Sequence, residues 1–193
     1  MHYGKFALGA LCVLAALQTR VEAQSFSHTW VGTDPTENPR LFRNGVPSVA
    51  GTAKPFPGTI SETDFYQTYT FVNPVAQANV FTLTPTTEDT SSFFSAYLGS
   101  FDPTNLALHY LGDQGSSAVA ALFSVDVPAS QTVVVVANSV GGTTAPIGHT
   151  YAATGAFTIT ATPEPGSIAL LVGMGVSGAG FLARRRHSAR RAA

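Results

Sequence analysis

Between residues 24 and 162 the apolar side chains either alternate with polar ones or form short runs, and Gly, Pro, Asn or Asp interrupts them repeatedly. A period of two suits a strand with one buried face, and a short unbroken run suits a strand covered on both faces. No stripe at helical spacing competes with that reading. Phe65, Gln67, Tyr69 and Phe71 share one face of an alternating segment, with Tyr66 and two threonines opposite, and Asn73-Pro74 ends it because proline cannot donate to a ladder. VFTLT (80–84) places Phe81 and Leu83 inward, and FFSAYL (93–98) and LALHYL (106–111) follow across a stretch of turn formers. VAALFSVDV (119–127), TVVVVA (132–137) and FTITA (157–161) complete the set, with residues 26–31 as an early edge strand. The run from Val133 to Val136 is apolar on both faces, as a doubly covered strand requires. Seven or eight such strands predict an all-β body, an antiparallel β-sandwich of jelly-roll-like build. Residues 32–58 carry so many Gly and Pro that they predict a long loop with short paired pieces.

Charge and cysteine usage then narrow what such a body can do. The chain has ten Lys and Arg against eleven Asp and Glu, but the signs are segregated. Residues 24–163 hold three bases (Arg40, Arg43 and Lys54) against nine acids, a net of −6. A body of that sign has no electrostatic footprint for nucleic acid. The one cysteine, Cys12, excludes a disulfide framework and a Cys-based metal cluster.

The two ends carry targeting patterns rather than core. Lys5 precedes FALGALCVLAAL (6–17), an apolar run of a dozen residues, and Val21-Glu22-Ala23 closes it with small residues where a signal peptidase reads. This is the layout of a secretory signal helix over residues 1–23, with cleavage expected between Ala23 and Gln24. Twelve helical residues reach about 18 Å, short of a hydrocarbon core about 30 Å thick. Cys12 sits inside the run behind Leu11, which does not suit lipidation. At the other end, Pro163-Glu164-Pro165 hold an extended backbone. The seventeen uncharged residues 167–183 (SIALLVGMGVSGAGFLA) then suit a single transmembrane helix, whose glycines are tolerated in lipid. Arg184, Arg185, Arg186, Arg190 and Arg191 follow, and that cluster predicts a cytoplasmic tail over 184–193 with the body on the opposite side.

Taken together, Pro163-Glu164-Pro165, the Gly-rich apolar helix and the terminal arginines resemble the PEP-CTERM sorting domain of Gram-negative bacteria, over residues 163–193. The resemblance implies a partner enzyme, the membrane-embedded cysteine transpeptidase exosortase, which acts on the Pro-Glu-Pro motif. It also implies a precursor tethered to the inner membrane with its body in the periplasm, then delivery to the cell surface or extracellular matrix and association with exopolysaccharide or biofilm. More loosely, the segments at 64–71, 97–103 and 110–113 resemble the β-sandwich modules of secreted bacterial proteins, including the pre-peptidase C-terminal type, which are usually accessory rather than catalytic.

Motifs that would carry catalysis are absent from the sequence: no Gly-x-Ser-x-Gly elbow, P-loop or His-Glu-x-x-His occurs. A Ser–His–Asp set could draw on His109 with Asp102 or Asp113, but no spacing demands it, and His109 reads as a strand residue between Leu108 and Tyr110. His28 and His149 have no histidine neighbour close in sequence to share a metal with. Glu88, Asp89, Asp102 and Asp113 fall in predicted loops and offer oxygen ligands that suit structural calcium, although the more economical reading of Asp102 is an Asx turn. Trp30, Tyr66, Tyr69, Tyr97, Tyr110 and Tyr151 would form a sugar-stacking face if exposed; in strand patterns their default place is the core. The expectation is therefore a non-enzymatic surface or matrix protein without catalytic residues or cofactor. A carbohydrate-binding adhesin and a surface hydrolase with two facing carboxylates are the alternatives.

Overall fold

Short strand-forming runs can be stable only if their apolar faces find a partner, and here two sheets supply it. The computed structural model describes residues 19–86, 91–117 and 121–160, with side chains within 23–158. Eleven strands occur there: β1 (Thr19–Thr29), β2 (Thr36–Glu37), β3 (Arg40–Leu41), β4 (Thr59–Ile60), β5 (Asp64–Val72), β6 (Asn79–Pro85), β7 (Ser92–Leu98), β8 (Tyr110–Asp113), β9 (Phe123–Val127), β10 (Thr132–Ser139) and β11 (Thr150–Thr160). One antiparallel sheet has four strands in the order β1-β11-β6-β9; the other has five, β2-β5-β10-β7-β8; β3 and β4 form a small pair.

The sheets face each other across an aromatic core. Phe81 and Leu83 of β6, Phe123 and Val125 of β9 and Phe157 of β11 meet Phe65 and Phe71 of β5, Phe94 of β7 and Val133 and Val135 of β10. Phe71 and Phe81 lie 4.9 Å apart at 49° between the sheets, and Phe81 meets Phe157 edge-on at 5.2 Å. Each fully buried phenylalanine contributes about 1.5–3 kcal/mol. The polar tips of this core's aromatics are satisfied: Trp30 Nε1 donates to Ser92 Oγ at 3.1 Å, and the Tyr69 and Tyr151 hydroxyls share a 2.7 Å bond.

Val134 and Val136 of β10 point the other way, into a second cluster with Leu41, Phe93, Tyr97 and Leu106. The five-stranded sheet is thus covered on both faces, as the run from Val133 to Val136 requires. The cover comes from the Gly- and Pro-rich segment at residues 32–58, which contains β2, β3 and an isolated bridge between Val49 and Thr52 and supplies Leu41 and Phe56, and from Phe101 and Leu106 of the turn before β8.

Three sequence expectations change in detail. Residues 106–109 form turns rather than strand, and β8 begins at Tyr110. Asn105 N bonds Asp102 O at 3.1 Å, Leu108 N bonds Asn105 O at 3.0 Å, and His109 takes φ 61°, so alternation there reflects a turn with Leu106 tucked inward. The last strand begins at Thr150 rather than Phe157, because Gly155 leaves room where a Cβ would stand 2.6 Å from Phe71 Cζ and 2.7 Å from Phe81 Cζ. The first strand begins at Thr19, so in the uncleaved chain the expected cleavage point at Ala23 and Gln24 lies within β1, with both residues exposed.

Candidate functional site

The covering segment brings together the chemistry of the body. Its three bases each reach an acid on the five-stranded sheet or beside it. Arg40 Nε lies 2.5 Å from Glu62 Oε2 and 3.6 Å from Asp64 Oδ2, and Arg43 Nη2 donates to Asp64 Oδ2 at 3.1 Å and to Ser139 O at 3.0 Å. Lys54 Nζ sits 2.5 Å from Asp113 Oδ1, between side chains 7% and 0% exposed. Arg43 also lies over the Phe93 ring at 5.0 Å. Every basic side chain of the body is thereby committed inward, and its outward field is acidic.

Glu37 completes the first cluster from β2, paired in register with Asp64 of β5. It is 3% exposed, and Glu37 Oε2, Arg43 Nε and Asn138 Nδ2 have no hydrogen-bond partner among the described residues. Burial, reinforced by the neighbouring Asp64, pushes the Glu37 carboxyl up to about 8. Burial likewise raises Asp64, with Glu62 adding to it against the pull of Arg43 and Arg40.

Residues 45–51 close the side of the two sheets. Gly45 N bonds Gly115 O at 2.8 Å and Ser48 N bonds Asp113 O at 2.9 Å, just beyond and at the end of β8; Ser124 N of β9 bonds Ser48 O at 3.0 Å. Ala50 N donates to Ser124 Oγ at 2.9 Å and Gly51 N to Asp126 Oδ2 at 2.7 Å. Two sheet edges that would otherwise be open are covered by one strap. Between strap and edges lies a cleft of about 410 Å³, lined by Ser48 through Lys54, Tyr110, Leu111, Ser124, Val125 and Asp126.

The strap can seat only because Gly115 lacks a side chain. Its φ is +79°, and a Cβ would stand 2.4 Å from Val46 C and 2.6 Å from Pro47 N. Backbone cannot yield as a side-chain tip can. Gly115→Ala is therefore expected to cost about 2–4 kcal/mol, from left-handed strain plus overpacking. Urea unfolding reads the loss, and limited proteolysis should show faster cutting within residues 45–54; unchanged stability would mean that the strap does not rest on this position.

The residues singled out in the sequence are distributed as follows. Pro163, Glu164, Pro165, Arg184, Arg185, Arg186, Arg190 and Arg191 lie outside the described residues, as do Glu88 and Asp89. Asp102 closes its own turn, with Oδ1 accepting from Thr104 N at 2.8 Å and Thr104 Oγ1 at 2.7 Å. Asp113 faces Lys54 and Tyr110 instead of a histidine. His109 Nδ1 lies 3.1 Å from Ser100 Oγ on an exposed turn, but neither aspartate joins that pair to orient it. His28 Nε2 pairs with Asp34 Oδ2 at 2.9 Å. Although burial opposes the charge, hydrogen bonds from His28, Val31 N and Gln67 hold Asp34 below its usual value. Among the described residues no three of His, Cys, Asp and Glu are grouped as metal ligands. Trp30, Tyr97 and Tyr151 are buried and Tyr66, Tyr69 and Tyr110 half-buried, so the six aromatics make no exposed row. Among the described residues one carboxylate, Asp126, lines the cleft.

Sequence reasoning missed the pairing of Lys54 with Asp113. The only available signal was that a body so poor in bases keeps all three within 15 residues, in a segment otherwise built like a loop. No protein-family model, curated protein or solved structure matches the chain.

Proposed function

We propose that the chain is an exported, non-catalytic surface or matrix protein, sorted through its C-terminal signal by an exosortase-type transpeptidase. The observation that carries this reading is the order of Pro163-Glu164-Pro165, an uncharged helix-forming run and five arginines behind a secretory leader. In this reading the inner membrane holds the precursor through residues 167–183, and the jelly-roll-like body rests outside until it is released to the cell surface or matrix. The filled interior supports a structural rather than catalytic role, and so does a cleft that offers a single carboxylate among the described residues where glycoside hydrolysis needs two. The acidic outer field favours a neutral exopolysaccharide as neighbour over an acidic one.

Mass spectrometry of the protein recovered from the matrix of an expressing host tests the route. The recovered form is expected to begin at Gln24 and to lack Arg184, Arg185 and Arg186, while the membrane fraction holds a form that keeps them. Matrix protein that began at Met1 and still ended at Ala193 would overturn both processing steps.

A further inference from the structure

Lysine is ordinarily among the most exposed residues. Apart from Lys5 the chain has only Lys54, and its side chain is 7% exposed. Its Nζ touches Asp113 Oδ1 at 2.5 Å and donates to Val46 O at 2.5 Å. Gly115 N donates to the same Asp113 Oδ1 at 2.5 Å, and the Tyr110 hydroxyl donates to Asp113 Oδ2. An amine at the wall of the cleft and a fully buried carboxyl group are thus held in contact. A backbone N–H faces one carboxyl oxygen and a phenol the other.

We propose that Lys54 and Asp113 condense to an intramolecular amide, a covalent staple between the covering segment and β8. One ammonium proton passes to the carboxylate, leaving a neutral amine and a carboxylic acid. The Nζ lone pair attacks Asp113 Cγ, and Gly115 N–H stabilises the charge that develops on Oδ1. The Cγ–Oδ2 bond then breaks, and Oδ2 leaves as water with the first proton and a second one from Nζ, relayed by the Tyr110 hydroxyl. The third proton stays on the new amide nitrogen, where Val46 O accepts it. No oxidant, metal or second enzyme enters the balance. Burial and the adjacent Asp113 carboxylate raise the Tyr110 pKa, which keeps the phenol protonated as the relay requires. Contact at this distance supplies the proximity that lets an otherwise slow condensation proceed. The staple closes a loop across 59 residues in a chain that has no pair of cysteines to do so. It does not depend on the export route.

Intact-mass measurement of the purified, denatured full-length chain decides the matter. Wild type is expected to be one water lighter than its sequence, after allowance for any terminal processing seen in the same digest. A branched peptide should join the segment carrying Lys54 to the one carrying Asp113. Lys54→Arg keeps the charge but is expected to show the full mass, two linear peptides and a lower melting temperature. Tyr110→Phe is expected to condense at least tenfold more slowly. Wild type at full sequence mass, or a water loss confined to one linear peptide, would overturn the staple and leave a plain ion pair. A Tyr110→Phe variant that condensed at the wild-type rate would overturn the relay.

Discussion

Glu37→Gln is expected to stabilise the body by about 3–5 kcal/mol at pH 8 or above and to leave it unchanged near pH 4. The Glu37 carboxyl is 3% exposed, faces Asp64 across the β2–β5 pair, and has Oε2 unpartnered among the described residues. Its nearest cations, Arg43 and Arg40, are already engaged by Asp64 and Glu62. Burial first and Asp64 second therefore raise it from 4.5 to about 8. Below pH 4.5 both the folded and the unfolded chain hold the proton, and the group is neutral toward stability. Between 4.5 and 8 the unfolded chain releases it while the folded chain keeps it, so stability falls as pH rises, and above 8 the loss is complete. Asp64 is raised too and slopes in the same direction, whereas Asp34 is lowered and contributes stability that disappears as acid protonates it. Glutamine keeps the shape and carries no charge to desolvate. Melting curves from pH 4 to 9 should coincide at the acid end and diverge by on the order of 10 °C at pH 8. Parallel curves would mean that Glu37 is ionised and adequately paired in the folded state.

Much of the sheet layout was written in local patterns. The period of two in residues 65–71 and the doubly apolar run at 133–136 correspond to β5 and β10, and the contrast between them matches one strand covered more on its inner face and another buried on both. The failures have a common physical source, which is that a strand or turn can be fixed by a neighbour distant in sequence. Local pattern places the last strand at 157–161, yet Gly155 sits inside β11 with the rings of Phe71 and Phe81 filling the space its side chain would take. Leu106 and Leu108 read as strand, yet the turn started by Asp102 places one inside and leaves the other 43% exposed. Residues 32–58 read as a loop, and their backbone is largely that. Their energetic weight, however, lies in charges whose partners stand 21 to 59 residues away. Local pattern reports burial and turn chemistry well; it does not report which acid a given base will find.

Replacing Pro163, Glu164 and Pro165 together by alanine is expected to abolish delivery, leaving the whole population as a membrane-bound precursor with its leader removed. In the proposed sorting route three adjacent parts have separate roles. Proline fixes φ and restrains the residue before it, so the Pro-Glu-Pro stretch is expected to present an extended backbone with one charge to the proposed transpeptidase. In that route the seventeen uncharged residues behind it, which would reach about 25 Å as a helix, hold that stretch at the surface. In the proposed route the five guanidinium groups lie on the far side of the membrane, cannot follow through lipid, and set both the orientation and the stop. Alanine at the motif leaves the anchor and the arginines intact, so insertion persists while recognition is lost. Replacing Arg184, Arg185, Arg186, Arg190 and Arg191 by glutamine should do the opposite: the motif remains, but precursor inserts in mixed orientation or slips through unprocessed. Fractionation with an antibody against the β-sandwich body separates the outcomes, because the first variant accumulates wholly in the membrane and the second divides between membrane and medium. If the alanine variant reached the medium or matrix as efficiently as wild type, the motif would carry no sorting information and residues 163–193 would be a plain anchor.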